Sequence, residues 1–240
     1  MADLLEILEE TQEKSSEEKP HYHGHRKRLR ERFLNEPKAV ADYELLEIIL
    51  FSASARSDVK PLAKELIAKF GTLAKVLTAD GVDLAKVEGI NEAAITAIKT
   101  VQEASSRLLL SEAKAKPVLN SWVKLLDYCR AEMGHLKNEQ FRILFLNSKN
   151  MLIADEVQQE GTINHTLAYP REIVKRALEL AASSIILCHN HPSGDPTPSR
   201  ADIDLTHQII AAGKPLEIKI HDHLIISETE HYSFKSNGLI

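Results

Sequence analysis

Between Asp42 and Phe70 apolar side chains recur three and four positions apart, and that recurrence predicts helices. YELLEIILF starts at an Asp42 cap, and SDVKPLAKELIAKFG has Ser57 as its N-cap and Gly71 as its stop. Leu62, Leu66, Ile67 and Phe70 lie at helical spacing in the second of these, the ordinary signature of a core face. LAKVEGINEAAITAIKTVQEASSRLLL continues as a short helix, a glycine-containing turn at Val87 to Asn91 and a second helix, which together read as a helix-hairpin-helix. Past residue 120 the pattern changes. Residues 121 to 133 predict a helix, and FRILFLNSKNMLIADEVQQEG predicts two strands around a turn at Asn147 to Asn150. TLAYPREIVKRALELAASS is an amphipathic helix with Pro170 near its start. An apolar strand from Ile185 to Cys188, a Pro/Gly loop, a helix 199 to 212 closed by Gly213, and the strands LEIKI and HLIIS follow. Strands alternating with helices predict an α/β (α+β) domain behind a small all-α one.

The boundary between the two falls at AKAKPVLN (113 to 120), small and charged residues broken by a proline. The expected organisation is an acidic flexible tail (1–20), an all-α helix-hairpin-helix domain (21–115) and an α/β domain (116–240). The tail carries seven acidic and two basic side chains. A net charge of −5 does not advertise nucleic acid or membrane as a general partner. Two distant cysteines, Cys129 and Cys188, make neither a disulfide framework nor a zinc-type spacing and point to a reducing cytoplasm. No apolar run approaches the ~20 residues of a membrane span, and no signal-peptide h-region is present, so a soluble cytoplasmic protein is expected.

One stretch of the helical domain changes the picture locally. In HYHGHRKRLRERF, Arg26, Lys27, Arg28, Arg30 and Arg32 cluster beside His21, His23 and His25. With Leu29 and Phe33 sharing a helix face, most basic side chains point outward, either as a phosphate-contacting patch or as a solvated face. The turn around Gly89 presents backbone N–H groups at a helix N-terminus that suit a phosphate oxygen, and Lys99 could add charge. Basic and acidic residues are nearly balanced across 21 to 115, which argues against indiscriminate DNA binding. The three alternating histidines have no carboxylate or cysteine beside them in sequence to complete a metal site.

The chemistry is concentrated in IILCHNHPSGDPTPSRAD, residues 185 to 202. If Ile185 to Cys188 is a strand, His189 and His191 leave the sheet on one side. Pro192, Gly194, Pro196 and Pro198 then force a loop, and Ser199 and Asp202 open the next helix. Ser199-x-x-Asp202 also reads as a capping box. Two imidazoles and one carboxylate supply three N/O ligands, the set of a catalytic zinc site with its fourth position left for water. Asp195, within the loop, is a rival third ligand. A second His-x-His at His221 and His223 also follows an apolar run, so the same one-sided geometry is expected there.

The pattern His-x-His, seven residues, Ser-x-x-Asp resembles the JAMM (MPN+) metallopeptidase signature, and HNHPSGDPTPSRAD resembles its form in bacterial RadC-like proteins. GHRKRLRERFL, DYELLEIIL, RSDVKPLAKELIAKFGTL and VEGINEAAITAIK are similar to the N-terminal domain of the same family. A typical hairpin has a second glycine where Asn91 stands; asparagine tolerates a left-handed backbone, so the turn is expected to keep its shape. The resemblance implies the JAMM/MPN fold, a curved β-sheet flanked by helices and akin to cytidine deaminases. It implies Zn²⁺ held by His189, His191 and Asp202, with Ser199 donating to a developing oxyanion. It also implies a general base, a glutamate from an earlier strand. Of Glu139, Glu156, Glu160 and Glu172, the likeness of NEQFRILFL to that strand singles out Glu139. Asp222 and His223 are read as supporting either the ligands or the fold. A hydrolase cleaving a peptide or isopeptide bond follows, with the family's link to DNA repair making DNA a candidate partner of the helical domain through Arg26, Arg28, Arg30, Gly89 and Lys99. The alternatives are a DNA-binding accessory protein with an inert metal domain, or a metal-dependent nuclease or deaminase. A deaminase would want Pro-Cys-x-x-Cys ligands, which are absent, and a two-metal nuclease more carboxylates than this loop supplies.

Overall fold

The computed structural model describes residues 22–54, 57–161 and 169–240, without the side chains of residues 22, 23, 119, 159 and 160. The acidic tail, His21, and residues 166–168 of the helix expected after the second strand lie outside the described residues. Contacts divide the chain into two units: residues up to Val76 with Asp80–Ile98, and Leu77–Ala79 with Lys99–Ile240. The division falls inside one long helix, ahead of the linker read from composition. Leu109, Leu110 and Ala113 near that helix's C-terminus pack with the second unit's core.

The first unit is helical: α1 (Tyr22–Asn35), α2 (Asp42–Leu50), α3 (Lys60–Phe70), most of α4 (Leu73–Thr78), α5 (Gly81–Leu84) and the start of α6 (Glu92–Lys114). Two caps differ from expectation. Asp42 is the first residue of α2 rather than its cap, and the Glu44 carboxylate accepts the Ala41 N–H at 3.1 Å. Ser57 does not cap α3. Pro61 near the helix start moves that start to Lys60, whose N–H is taken by Asp58 Oδ1 at 3.0 Å. Gly71 ends α3 with φ 94°, a left-handed conformation that suits glycine.

Inside this unit Glu47 is 0% exposed, and its Oε2 lies 2.8 Å from His25 Nε2, tying α1 to α2. Its Oε1 accepts no hydrogen bond among the described residues. Removing the imidazole would leave a carboxylate buried without a partner, the costly way to break an internal pair. His25→Ala is expected to destabilise this unit by about 3 kcal/mol, the low end for buried pairs because His25 is partly solvated. Urea titration read by circular dichroism should show the shift. The fluorescence of the chain's single tryptophan, Trp122 in the other unit, should keep its own midpoint.

The second unit is an α/β fold around a five-stranded mixed sheet ordered β2-β1-β3-β4-β5, with β1 Glu139–Leu146, β2 Leu152–Gly161, β3 Ser184–Asn190, β4 Lys219–Ile226 and β5 His231–Ser233. Only β3 and β4 are parallel. Helix α7 (Trp122–Met133) and the end of α6 belong to one core with Leu144, Leu146, Ile186, Cys188, Leu224 and Ile226. Helices α8 (Pro170–Glu179) and α9 (Arg200–Gly213) belong to the other, with Phe141, Ile143, Phe145, Ile185 and Leu187. Alternation along β1 and β3 sorts these residues onto the two faces. Burial on both faces explains the unbroken apolar run that precedes His189.

Three details differ from the pattern-based reading. LEIKI and HLIIS are not separate strands, since β4 runs through Lys219–Ile226, and β5 follows it. The β3–β4 register slips between Ile185–Ile220 and Ile186–Asp222, leaving His221 as an extra residue, a β-bulge. Gly213 is the last residue of α9 rather than its stop; a Cβ there would stand 2.8 Å from the Ile218 carbonyl, so the close approach requires glycine. Among the described residues no helix is long and apolar enough to cross a membrane.

Candidate metal centre

β3 carries His189 and ends at Asn190, His191 follows directly, and α9 begins across the Pro/Gly loop. His189 (5% exposed) lies on the α9 face of the sheet, its ring stacked near Phe141 with centroids 6.0 Å apart. Ser199 is the N-cap of α9. Its hydroxyl accepts the Asp202 N–H at 3.2 Å and donates to Asp202 Oδ2 at 2.6 Å, and its own N–H donates to the same oxygen at 2.7 Å. That reciprocal cap aims the Asp202 carboxylate back across the loop. Its Oδ1 comes to 3.3 Å from His189 Nε2 and its Oδ2 to 3.8 Å from His191 Nε2, while the two Nε2 atoms are 3.0 Å apart. Ligand atoms at ~2.0–2.1 Å from a tetrahedral zinc stand about 3.3 Å from each other. The observed spacings bracket that value.

The proton inventory makes the same point. Thr206 Oγ1 donates to the Asp202 backbone carbonyl at 2.6 Å, so its lone pairs must receive His223 Nδ1–H, also at 2.6 Å. Neutral His223 then offers Nε2 as an acceptor to His189 Nδ1–H at 2.8 Å. His191 Nδ1–H donates to the Asp195 carbonyl at 2.8 Å. Both histidines therefore turn unprotonated Nε2 atoms toward each other and toward a carboxylate. Three electron-pair donors within 4.8 Å, with both histidine Nδ1 protons directed away, form a cluster that could hold a metal ion.

Charge states agree with this. Burial pushes His189 down to about 4 against the pull of Asp202, and burial likewise holds His223 well below the usual imidazole value. Burial would raise Asp202, but hydrogen bonding to His191, the charge of His189 and the bonds from Ser199 hold it far below the carboxylate range. His191 is the exception: its pKa is raised, first by the hydrogen bond its protonated Nε2 makes to Asp202, with Glu139 adding a smaller electrostatic contribution, so a metal takes the place of that proton.

Geometry selects among the other candidates. The Asp195 carboxylate accepts the Thr197 N–H at 2.9 Å, and only its backbone carbonyl serves the site, so Asp202 and not Asp195 completes the cluster. Glu139 stands at the first position of β1. It lies two residues before Phe141, which pairs with His189, so alternation puts it on the face that carries His189. Glu156 pairs with Ile143, further along the sheet, and is gripped by the Arg176 guanidinium at 2.6 to 3.0 Å, which holds its carboxyl below the usual range. Glu172 lies in the first turn of α8 against Arg171. Glu160 occupies β2 opposite Gln140, and its side chain is outside the described residues.

The second His-x-His does not share a side, because the bulge at His221 interrupts the alternation. His221 lies 6.3 Å from the Trp122 ring on α7, whereas His223 turns to His189 and Thr206. Asp222 does not reach the cluster. It is 2% exposed and accepts bonds from the His223 and Lys235 N–H groups and the Ser233 hydroxyl, anchoring the C-terminal turn. Thr206 escaped the sequence reading, although its position one turn after Asp202 on the same helix face was a usable signal.

Of the expected phosphate contacts, the arginines and Gly89 lie in the helical unit and Lys99 does not. Arg26 is 7% exposed, donates to the Ser57 carbonyl at 2.5 Å and lies over Phe51, a ring it shares with Arg30. Arg28 and Arg30 are exposed, as is Arg32, which pairs with Glu44. Gly89 has φ 80°, but Asn91 is not left-handed. Its side chain accepts the Ala94 N–H at 2.8 Å, occupying a donor that a phosphate would need. Lys99, in the other unit, donates to the Ala79 carbonyl at 2.9 Å.

Comparison with family models gives two matches. The model for RadC-like JAB domains matches residues 119–239, and the model for UPF0758 N-terminal domains matches residues 23–96.

Proposed function

The chain belongs to the RadC-like family, and from that premise we propose that it is a zinc-dependent hydrolase of peptide or isopeptide bonds. The observation that carries the reading is the convergence of His189 Nε2, His191 Nε2 and the Asp202 carboxylate with the Nδ1 protons of both histidines directed elsewhere. These three residues would hold the metal. When bound, zinc supplies Lewis acidity that brings the pKa of a water down to about 7. Glu139 takes the proton of the attacking water and delivers it to the departing amine, work that requires a carboxylate beside the ligands but not among them. Ser199 faces the same space; with its hydroxyl turned from Asp202 it donates to the oxygen of the carbonyl under attack. His223 and Thr206 keep His189 in the tautomer that presents Nε2.

Two results test the reading together: metal analysis of the purified chain, and a peptide and isopeptide library screened with wild type and Glu139→Gln. Absence of bound zinc, or no cleavage of any library member by wild type, would remove the hydrolase assignment. The relay carries its own expectation. Thr206→Val, which keeps shape but deletes the hydroxyl, should weaken zinc binding by about 10-fold or more in a chelator competition. Unchanged affinity would show that His189 needs no such support. A nucleic-acid function draws less support, since Arg26 and Lys99 are committed to carbonyls within their own units.

A further inference from the structure

Asn190 stands between the two ligand histidines and is 1% exposed. Its side chain falls on the opposite face of β3 from His189, so it touches none of the cluster. The β1–β3 ladder stops at the pair Phe141–His189. Beyond it β3 continues only along β4, through the Asn190–Ile226 pair and the His191 N–H bonded to the Ile226 carbonyl at 2.9 Å. On the β1 side the Asn190 carboxamide takes over. Its Oδ1 accepts the Gln140 N–H at 2.8 Å, and its Nδ2 donates to the Asn138 carbonyl at 3.1 Å and the Leu136 carbonyl at 3.4 Å. Rotating the amide by half a turn would set its NH₂ against an N–H and its oxygen against two carbonyls, so this orientation is the only one the partners accept.

Those contacts bracket Glu139, because Asn138 and Gln140 are its immediate neighbours. Among the described residues no side chain holds the Glu139 carboxylate, so its direction is inherited from its backbone at the open end of β1. We infer that Asn190 is a positioning residue for Glu139: the carboxamide substitutes for the missing ladder and pins the backbone on both sides of the glutamate while the strands part. The inference rests on the assignment of Glu139 as the general base. One residue thus couples the strand that bears the histidines to the strand that bears the base, and the two parts of the site keep their spacing.

The test uses the full-length chain, loaded with zinc, and the substrate selected by the library screen. Asn190→Ala should speed exchange of the Gln140 amide by about tenfold or more while the Leu144 amide in mid-strand keeps its rate. Zinc affinity by chelator competition should stay within about threefold, because no ligand is touched. kcat should fall about 10²-fold with KM unchanged, the usual consequence of a misplacement near 1 Å, and the fall should vanish in the Glu139→Gln background. Should the alanine variant not fold, Asn190→Asp carries the test. It retains an acceptor for Gln140 but turns a carboxylate on two carbonyls, and should lose about tenfold or more in kcat. Wild-type kcat in either folded variant would overturn the inference, as would an equal loss with Glu139 and with Gln at position 139. Full activity of Glu139→Gln itself is a different result, one that withdraws the base before any question of its positioning arises.

Discussion

Glu139→Gln is expected to keep its zinc and to lose about 10²–10⁴-fold in turnover on any substrate the screen identifies. The substitution preserves size and hydrogen-bonding reach but removes the group that accepts a proton. Among the candidates whose side chains are described, the other carboxylates are engaged elsewhere. Asp202 is taken as a ligand, Glu156 is held by Arg176, and Glu172 stands in the first turn of α8 beside Arg171. Strand alternation supports the assignment, since Glu139 lies two residues before Phe141, which pairs with His189, and so falls on that histidine's face of the sheet. Zinc content near one per chain in the variant would separate lost chemistry from lost metal. Turnover equal to wild type at unchanged zinc content would move the base to another residue.

The second large effect concerns the metal itself. Purified wild type should carry about one zinc ion per chain, and His189→Ala combined with His191→Ala should carry none above background, because a lone aspartate does not retain zinc. The double variant should remain folded. Its main structural cost is the His223 Nε2 left without the His189 proton, about 1–3 kcal/mol for a buried group. Stoichiometric zinc in that variant, measured by atomic emission, would sink the assignment. In wild type the metal should also leave on acidification, and the sign follows from the two histidines. His189, depressed by burial to about 4, stays ready as a ligand at neutral pH, whereas His191 is raised and protonates first as pH falls. Zinc affinity should therefore hold above the His191 pKa and weaken as pH drops through it, by about tenfold per unit per proton taken up.

How far the chain could be read without coordinates differs from one residue to the next. His189, His191, Ser199 and Asp202 lie within a single strand-loop-helix passage. Strand alternation and a helix cap dictate their directions, so local rules suffice to bring them near one another. Glu139 lies 50 residues upstream of His189, and a likeness of sequence suggested it; what distinguishes it physically from Glu156 is strand register, a long-range quantity. The expectation of a one-sided His221–His223 pair came from perfect alternation, and one bulge undid it. A bulge depends on how β4 fits against β3, which the apolar pattern does not encode. Arg26 has the same lesson in a helix. A basic run reads as surface, yet the face shared with Leu29 buries Arg26 over Phe51, where a carbonyl from 31 residues away accepts its proton.

From the order of its residues alone, this protein has its helices and most of its strands, its two-part character and the ligand-bearing loop, because each depends on periodicity or on turns a few residues long. Tertiary structure alone decides which face each imidazole serves, which ring nitrogen carries the proton, which glutamate shares the sheet face of His189 and how Asn190 bridges two strands. Those outcomes hinge on partners dozens of positions apart, and a hydrogen bond selects its partner by distance in space rather than along the chain.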